Sequence, residues 1–213
     1  MTTLVLEMLL RAAWPQSGSE MASAPANDAI SRANQLPDLA EGLNPLHALI
    51  ETILDRHHAY LKTELPELEQ MISELCREHA SVYCAKATAL LNIFARFRRE
   101  LESHMKREEV TLFPLIRRLE TAFVQKQPVP ENSFGPLSNA IAFMNEDHDF
   151  EDKLLHMMSE STSGYESPAD APPRYAELMR RLRLLADDME RHVHLEDKLL
   201  FPQAVLIEES QMV

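Results

Sequence analysis

The sequence predicts an all-α fold, an up-down-up-down antiparallel four-helix bundle over residues 44–209 behind an N-terminal extension over residues 1–43. Three observations carry this. Only 4 glycines and 6% aromatic residues occur in 213, while Leu, Ala, Glu and Arg are abundant, which favours helix over strand. From residue 44 onward apolar residues recur with a helical period in four long segments separated by turn signals. The stretch "HMKREEVTLFP" at 104–114 returns 88 residues later as "HVHLEDKLLFP", each copy reading His, three residues, Glu, three residues, Leu-Phe-Pro.

The extension opens with "MTTLVLEMLLRAAW", apolar but short, carrying Glu7 and lacking a basic leading region. It is a poor signal peptide and too short to cross a membrane. Residues 15–44, rich in Pro, Ser, Ala and Asn, read as a linker. The first helix starts at Asn44-Pro45, a cap followed by proline in the first turn. Its seam runs through Ile50, Leu54, Leu61, Leu65, Leu68, Ile72 and Leu75, and Pro66 is expected to kink it or loosen one turn. A second helix begins near residue 82 with Leu90, Phe94, Phe97, Leu101 and Leu115 inward. Gly135-Pro136 opens a third, carrying Leu137, Ile141, Met144 and Leu155. After "SGYESPADAPP" a fourth carries Leu178, Leu182, Leu185, Met189 and Leu199. Long helices with short connections make an antiparallel bundle.

Each helix points one histidine inward: His58, His104, His148 and His192. His58 lies 13 residues after Pro45 and His148 lies 12 after Pro136, while His104 and His192 each lie 10 before the proline of their Leu-Phe-Pro. In alternating helices these positions fall in one layer, with Glu108 and Glu196 beside them. Residues i and i+4 share a helix face and differ by about 6 Å in height. Burying four imidazoles and two carboxylates uncompensated would cost several kcal/mol, and a pair of divalent cations bridged by the carboxylates compensates them. Imidazole and carboxylate without thiolate suit iron, manganese or zinc, and a bridged pair inside a helical bundle favours iron. Asp147 and Glu100 are expected to hold ligand imidazoles by their free N–H. His57, one step off the seam, is expected beside the site or in solvent. His156 and His194 lie off their seams, and His47 sits in the first turn. His79 shares the His58 seam, but 21 helical residues span about 31 Å, so it is not expected to be a ligand.

The segments "ILDRHHAYLKTELPELEQ", "ELESHMKREEVTLFPLIRR", "MNEDHDFEDKLL" and "DDMERHVHLEDKLLFPQA" resemble the hemerythrin-like proteins of the RIC (repair of iron centres) family. The likeness covers roughly residues 44–205. It implies a four-helix bundle holding two non-haem iron ions, oxo- or hydroxo-bridged, on His58, His104, Glu108, His148, His192 and Glu196. It also implies a part in protection from nitric oxide and oxidants, and in restoring damaged iron–sulfur clusters. Many members carry an N-terminal domain with a cysteine pair, whereas residues 1–43 contain no cysteine. The chain is therefore more similar to the short NorA-type members, whose di-iron centre is associated with nitric oxide binding in the cytoplasm.

Composition narrows the partners. A net charge of −13 argues against nucleic acid, whose phosphates need clustered Lys and Arg. Cys76 and Cys84 form neither a C-x-x-C motif nor a disulfide framework, as in a reduced, cytoplasmic protein. The expected function is nitric oxide binding at the di-iron centre in nitrosative or oxidative stress, with nitric oxide or dioxygen as small ligands and iron–sulfur proteins as possible partners. Other classes are an iron donor for cluster repair, a nitric oxide or dioxygen reductase, and a redox sensor. A reductase needs an electron donor, and no flavin or nicotinamide motif is visible.

Overall fold

The computed structural model describes residues 45–77, 82–130 and 135–211. Four helical rods make up this part. Rod α1 comprises Leu46–Thr52, a π-helical turn at Ile53–His58 and Ala59–Arg77. Rod α2 comprises Val82–Arg107, a π turn at Glu108–Leu112 and Phe113–Val124. Rod α3 is a plain α-helix, Leu137–Ser161. Rod α4 comprises Pro173–His194, a π turn at Leu195–Leu200 and Phe201–Gln211. Neighbours around the bundle follow chain order, with α4 closing against α1. Among the described residues there is no strand. The all-α four-helix fold is therefore as the sequence predicts. The expectations for residues 1–43, Asn44 and His79 lie outside the described residues.

Two starts use the same device. Pro45 precedes α1 and Pro136 precedes α3, each extended and without a side-chain cap of its own. The free N–H groups that follow are taken from a distance. Leu46 and His47 donate to Glu120 at 2.7 and 3.0 Å, and Leu137 donates to both oxygens of Glu208 at 3.0 and 2.8 Å. A carboxylate at a helix N-terminus also meets the positive end of the helix dipole. Glu120 follows Glu108 by 12 residues, as Glu208 follows Glu196, so the internal repeat extends past Leu-Phe-Pro to the caps.

Three sequence expectations shift. Rod α1 runs unbroken through Pro66, and its loosened turn lies at Ile53–His58 instead. A turn closed by i→i+5 bonds carries an extra residue and moves the buried seam along by one. Ile53 and Leu200 are accordingly buried, while Leu54 and Leu199 are only half-buried. On α3, Leu154 is buried rather than Leu155, and the inward position before it is Glu151.

A large apolar core fills the bundle from Leu61–Leu75 and Leu90–Met105 to Leu178–Met189. Beyond the inward histidines a second apolar group includes Ile50, Ile53, Ile116, Leu137, Ile141 and Ala204, all buried. The polar layer thus lies between two dry layers. Among the described residues no helix is long and apolar enough to cross a membrane.

Candidate metal centre

The structure brings together the six side chains singled out by spacing. His58, His104, Glu108, His148, His192 and Glu196 are all buried, none more than 5% exposed. They form two groups of four, His58/Glu108/His192/Glu196 and His104/Glu108/His148/Glu196, whose offered atoms lie within 4.8 Å of one another. Both carboxylates belong to both groups. Across the groups, Glu108 stands 3.3 Å from His58 Nε2 through one oxygen and 3.3 Å from His104 Nε2 through the other. Glu196 likewise stands 2.9 Å from His192 Nε2 and 3.1 Å from His148 Nε2 through separate oxygens.

Three of the six, His58, Glu108 and Glu196, lie in the π turns, and His104, His148 and His192 on regular α-helix. The turn at Ile53–His58 buries both His57 and His58, and the turns that begin at Glu108 and near Glu196 direct the carboxylates across the bundle. The Leu-Phe-Pro repeat has a local role. Its leucines are buried under the site, its prolines offer no N–H to tighten the preceding turn, and its phenylalanines stack on histidines. Phe113 lies 5.8 Å from His58 and Phe201 lies 6.2 Å from His148, centroid to centroid.

Three of the four outward ring nitrogens face carboxylates. His58 Nδ1 pairs with Glu109 at 2.8 Å, itself gripped by Lys62 at 2.6 Å, and His148 Nδ1 pairs with Asp197 at 3.0 Å. Glu109 and Asp197 each follow a central glutamate by one residue, so the internal repeat includes them. His104 Nδ1 faces Asp147 at 3.5 Å, which Arg107 holds at 2.5 Å, and Glu151 at 3.9 Å. His57 stacks parallel on His192 at 5.4 Å and pairs with Asp188 at 3.0 Å. The structure places Glu100 apart from the imidazoles, in an ion pair with Arg99 at 2.9 Å. His47 and His156 pair with Glu120 and Glu160 at the exposed surface.

Spacing alone missed Glu151, Glu109 and Asp197, and left His57 open between a place beside the site and solvent. Glu151 was accessible in principle, since it falls three residues after His148 on the same face. The other three depend on the wide turns, which leave no periodic signal.

Charge follows from these contacts. Burial opposes protonation of His148, but the hydrogen bond to Asp197 and the facing Glu196 carboxylate override it and push the imidazole up to about 10. Burial likewise opposes a proton on His104, yet the Glu108 charge and the Asp147 contact hold it well above its ordinary value. His58 also rises against burial, through Glu108 and Glu109. Glu196 resists burial and lies well below the usual carboxylate range beside His192 and His148. Burial pushes Glu151 up to about 7, against the pull of His104 and His148.

The donor set fits a pair of cations. Both oxygens of Glu108, both ring nitrogens of His104, His148 Nε2 and Glu196 Oε2 are buried without a hydrogen-bond partner. Groups so placed are costly unless something engages them. Imidazole and carboxylate donors held about 2.0–2.2 Å from one ion lie no more than about 4.4 Å from one another, close to the spread within each group.

The family model described as the hemerythrin HHE cation binding domain matches residues 49–204. The chain is 30% identical over 161 residues to the iron-sulfur cluster repair protein YtfE of Escherichia coli O157:H7, covering 76% of this chain and 67% of that protein. It is 31% identical over 160 residues to the iron-sulfur cluster repair protein YtfE of Enterobacter sp. strain 638, covering 75% and 66%. The similarity thus spans about two thirds of the length of these relatives.

Proposed function

This chain belongs to the hemerythrin HHE cation-binding family, in the branch of the iron-sulfur cluster repair proteins, and we propose that it holds two iron ions and binds nitric oxide at them in a nitrosative or oxidative stress response. The observation that carries this reading is the sharing of both Glu108 and Glu196 by two four-residue groups. His58 and His192 would hold one ion and His104 and His148 the other, with the two glutamates common to both. Such a pair supplies positions for a diatomic ligand and electrons to share with it.

The chain's own residues set the conditions. Glu109 and Asp197 fix imidazole orientation and make the ring nitrogens better donors, as carboxylate partners of ligating histidines do, and Asp147 adds its charge beside His104. Phe113, Phe201 and the apolar layers keep water from the buried carboxylates. A cytoplasmic setting belongs to this reading through the family resemblance.

A second reading is iron donation to damaged iron–sulfur clusters, with iron–sulfur proteins as partners. The relatives' designation as iron-sulfur cluster repair proteins favours it. Stopped-flow addition of nitric oxide to the anaerobically reduced protein, with analysis of product gas, separates the possibilities. A stable nitric oxide adduct with no gas evolved is expected. Nitrous oxide over many turnovers would identify a reductase, and no spectral response would end the binding reading.

A further inference from the structure

The two halves of the site are not equivalent. Around His58 and His192 the outward contacts are Glu109 and the stacked His57, and His192 Nδ1 has no hydrogen-bond partner. Around His104 and His148 stand three further carboxylates, Asp147, Glu151 and Asp197. Of these, Asp147 is held by Arg107 and Asp197 by His148. Glu151 is 2% exposed, and neither of its oxygens has a hydrogen-bond partner.

Glu151 also lines an open groove of about 540 Å³ between α3 and α4. The inner wall of that groove includes His148, and its rim carries Asp149, Asp152 and Glu190, all exposed. His148 and Glu151 connect this groove to the candidate ligands, the first through Glu196 at 3.1 Å and the second towards His104 at 3.9 Å. A free buried carboxylate behind an anionic rim raises the local concentration of cations and offers them one dehydrated oxygen ligand.

We propose that Glu151 is a transient cation ligand, the inner step of an acidic path by which divalent metal passes between solvent and the His104/His148 position. This rests on the reading of the six side chains as a two-ion centre. Glu151 lies outside both four-residue groups, so it serves passage rather than residence. The ion held by His104 and His148 exchanges faster than the ion held by His58 and His192, because the groove reaches only the first pair.

The test uses the full chain loaded anaerobically with ferrous iron, and follows release to an excess of a chromogenic ferrous chelator. Wild type is expected to release one ion in a fast phase and one in a slow phase. Glu151→Gln, isosteric but uncharged, should still hold two ions, with loading and the fast phase slowed about tenfold, as expected for removing a full charge near the path. Glu190→Gln at the rim should slow the same phase less, and the exposed Glu51→Gln should not change it. Circular dichroism melting of each variant checks that the fold is kept, and Glu190→Gln carries the test if Glu151→Gln fails to fold. Unchanged rates in both groove variants overturn the proposal. A Glu151→Gln protein holding a single ion also overturns it, since Glu151 would then be a resident ligand. Wild type that binds no iron refutes the two-ion reading itself, a failure distinct from either.

Discussion

His58 and His192, 134 residues apart on α1 and α4, bring their Nε2 atoms to 3.2 Å in a buried layer, with rings at 81°. Two imidazole nitrogens at this distance either share one proton or serve one cation, since neutral lone pairs repel. Glu108 and Glu196 stand 3.3 and 2.9 Å from the same two nitrogens. Four donors thus converge on one point, and His104 with His148 repeat the arrangement beside it at a ring separation of 4.8 Å.

From that convergence, removing one histidine should remove one ion, while removing a shared glutamate should disturb both. His58→Ala is expected to hold about one iron per chain and Glu196→Ala less than one. Elemental analysis of purified variants reads this directly. Equal iron in wild type and Glu196→Ala would show that the carboxylate is not shared.

Glu109 and Asp197 act through the imidazoles they hold. Glu109→Ala and Asp197→Ala should keep both ions but bind them about 10–100-fold more weakly, the usual cost of losing such a partner. Competition with a chelator of known affinity measures it. Affinities equal to wild type would mean that the outer carboxylates are merely neighbours.

The pH dependence has a definite sign. His148 titrates at about 10 in the metal-free fold, raised from its ordinary value, and Glu151 at about 7, also raised. Stability tied to a raised value is fully present below the unfolded value and is lost as pH rises through the folded one. The metal-free protein should therefore lose stability from Glu151 between roughly pH 4.5 and 7, and from His148 between roughly pH 6.5 and 10. Metal must displace the His148 proton, so metal affinity should keep rising with pH up to about 10. Thermal melts of metal-free and loaded protein at pH 6.5 and 9.5 check both statements. A metal-free melting point higher at pH 9.5 would contradict them.

Away from the site, Glu208 is buried and takes the first N–H of α3 through both oxygens. Glu208→Ala leaves that N–H without its partner and should cost about 1–3 kcal/mol, with iron content unchanged. Chemical denaturation measures the loss. A drop in bound iron without a drop in stability would tie the cap to the site instead.

Much of this was legible in the sequence. Helical periodicity located four helices, and the distances of His58, His104, His148 and His192 from their prolines placed them in one layer. What escaped depends on the π turns. Burial of Ile53 and Leu200 in place of Leu54 and Leu199 follows from one extra residue per turn, which an α-helical count cannot register. Glu151 escaped for a different reason. Its position continues the His148 face, but a carboxylate in that place reads as solvent-facing until its burial is seen. The remote caps Glu120 and Glu208 required knowing which helix ends meet.

The most direct test of the account is the metal content and magnetic state of the full chain purified after iron-replete expression. Two irons per chain with spins coupled through a bridge, as seen by elemental analysis and Mössbauer spectroscopy, is the predicted result. One tightly held zinc per chain and no iron would contradict it.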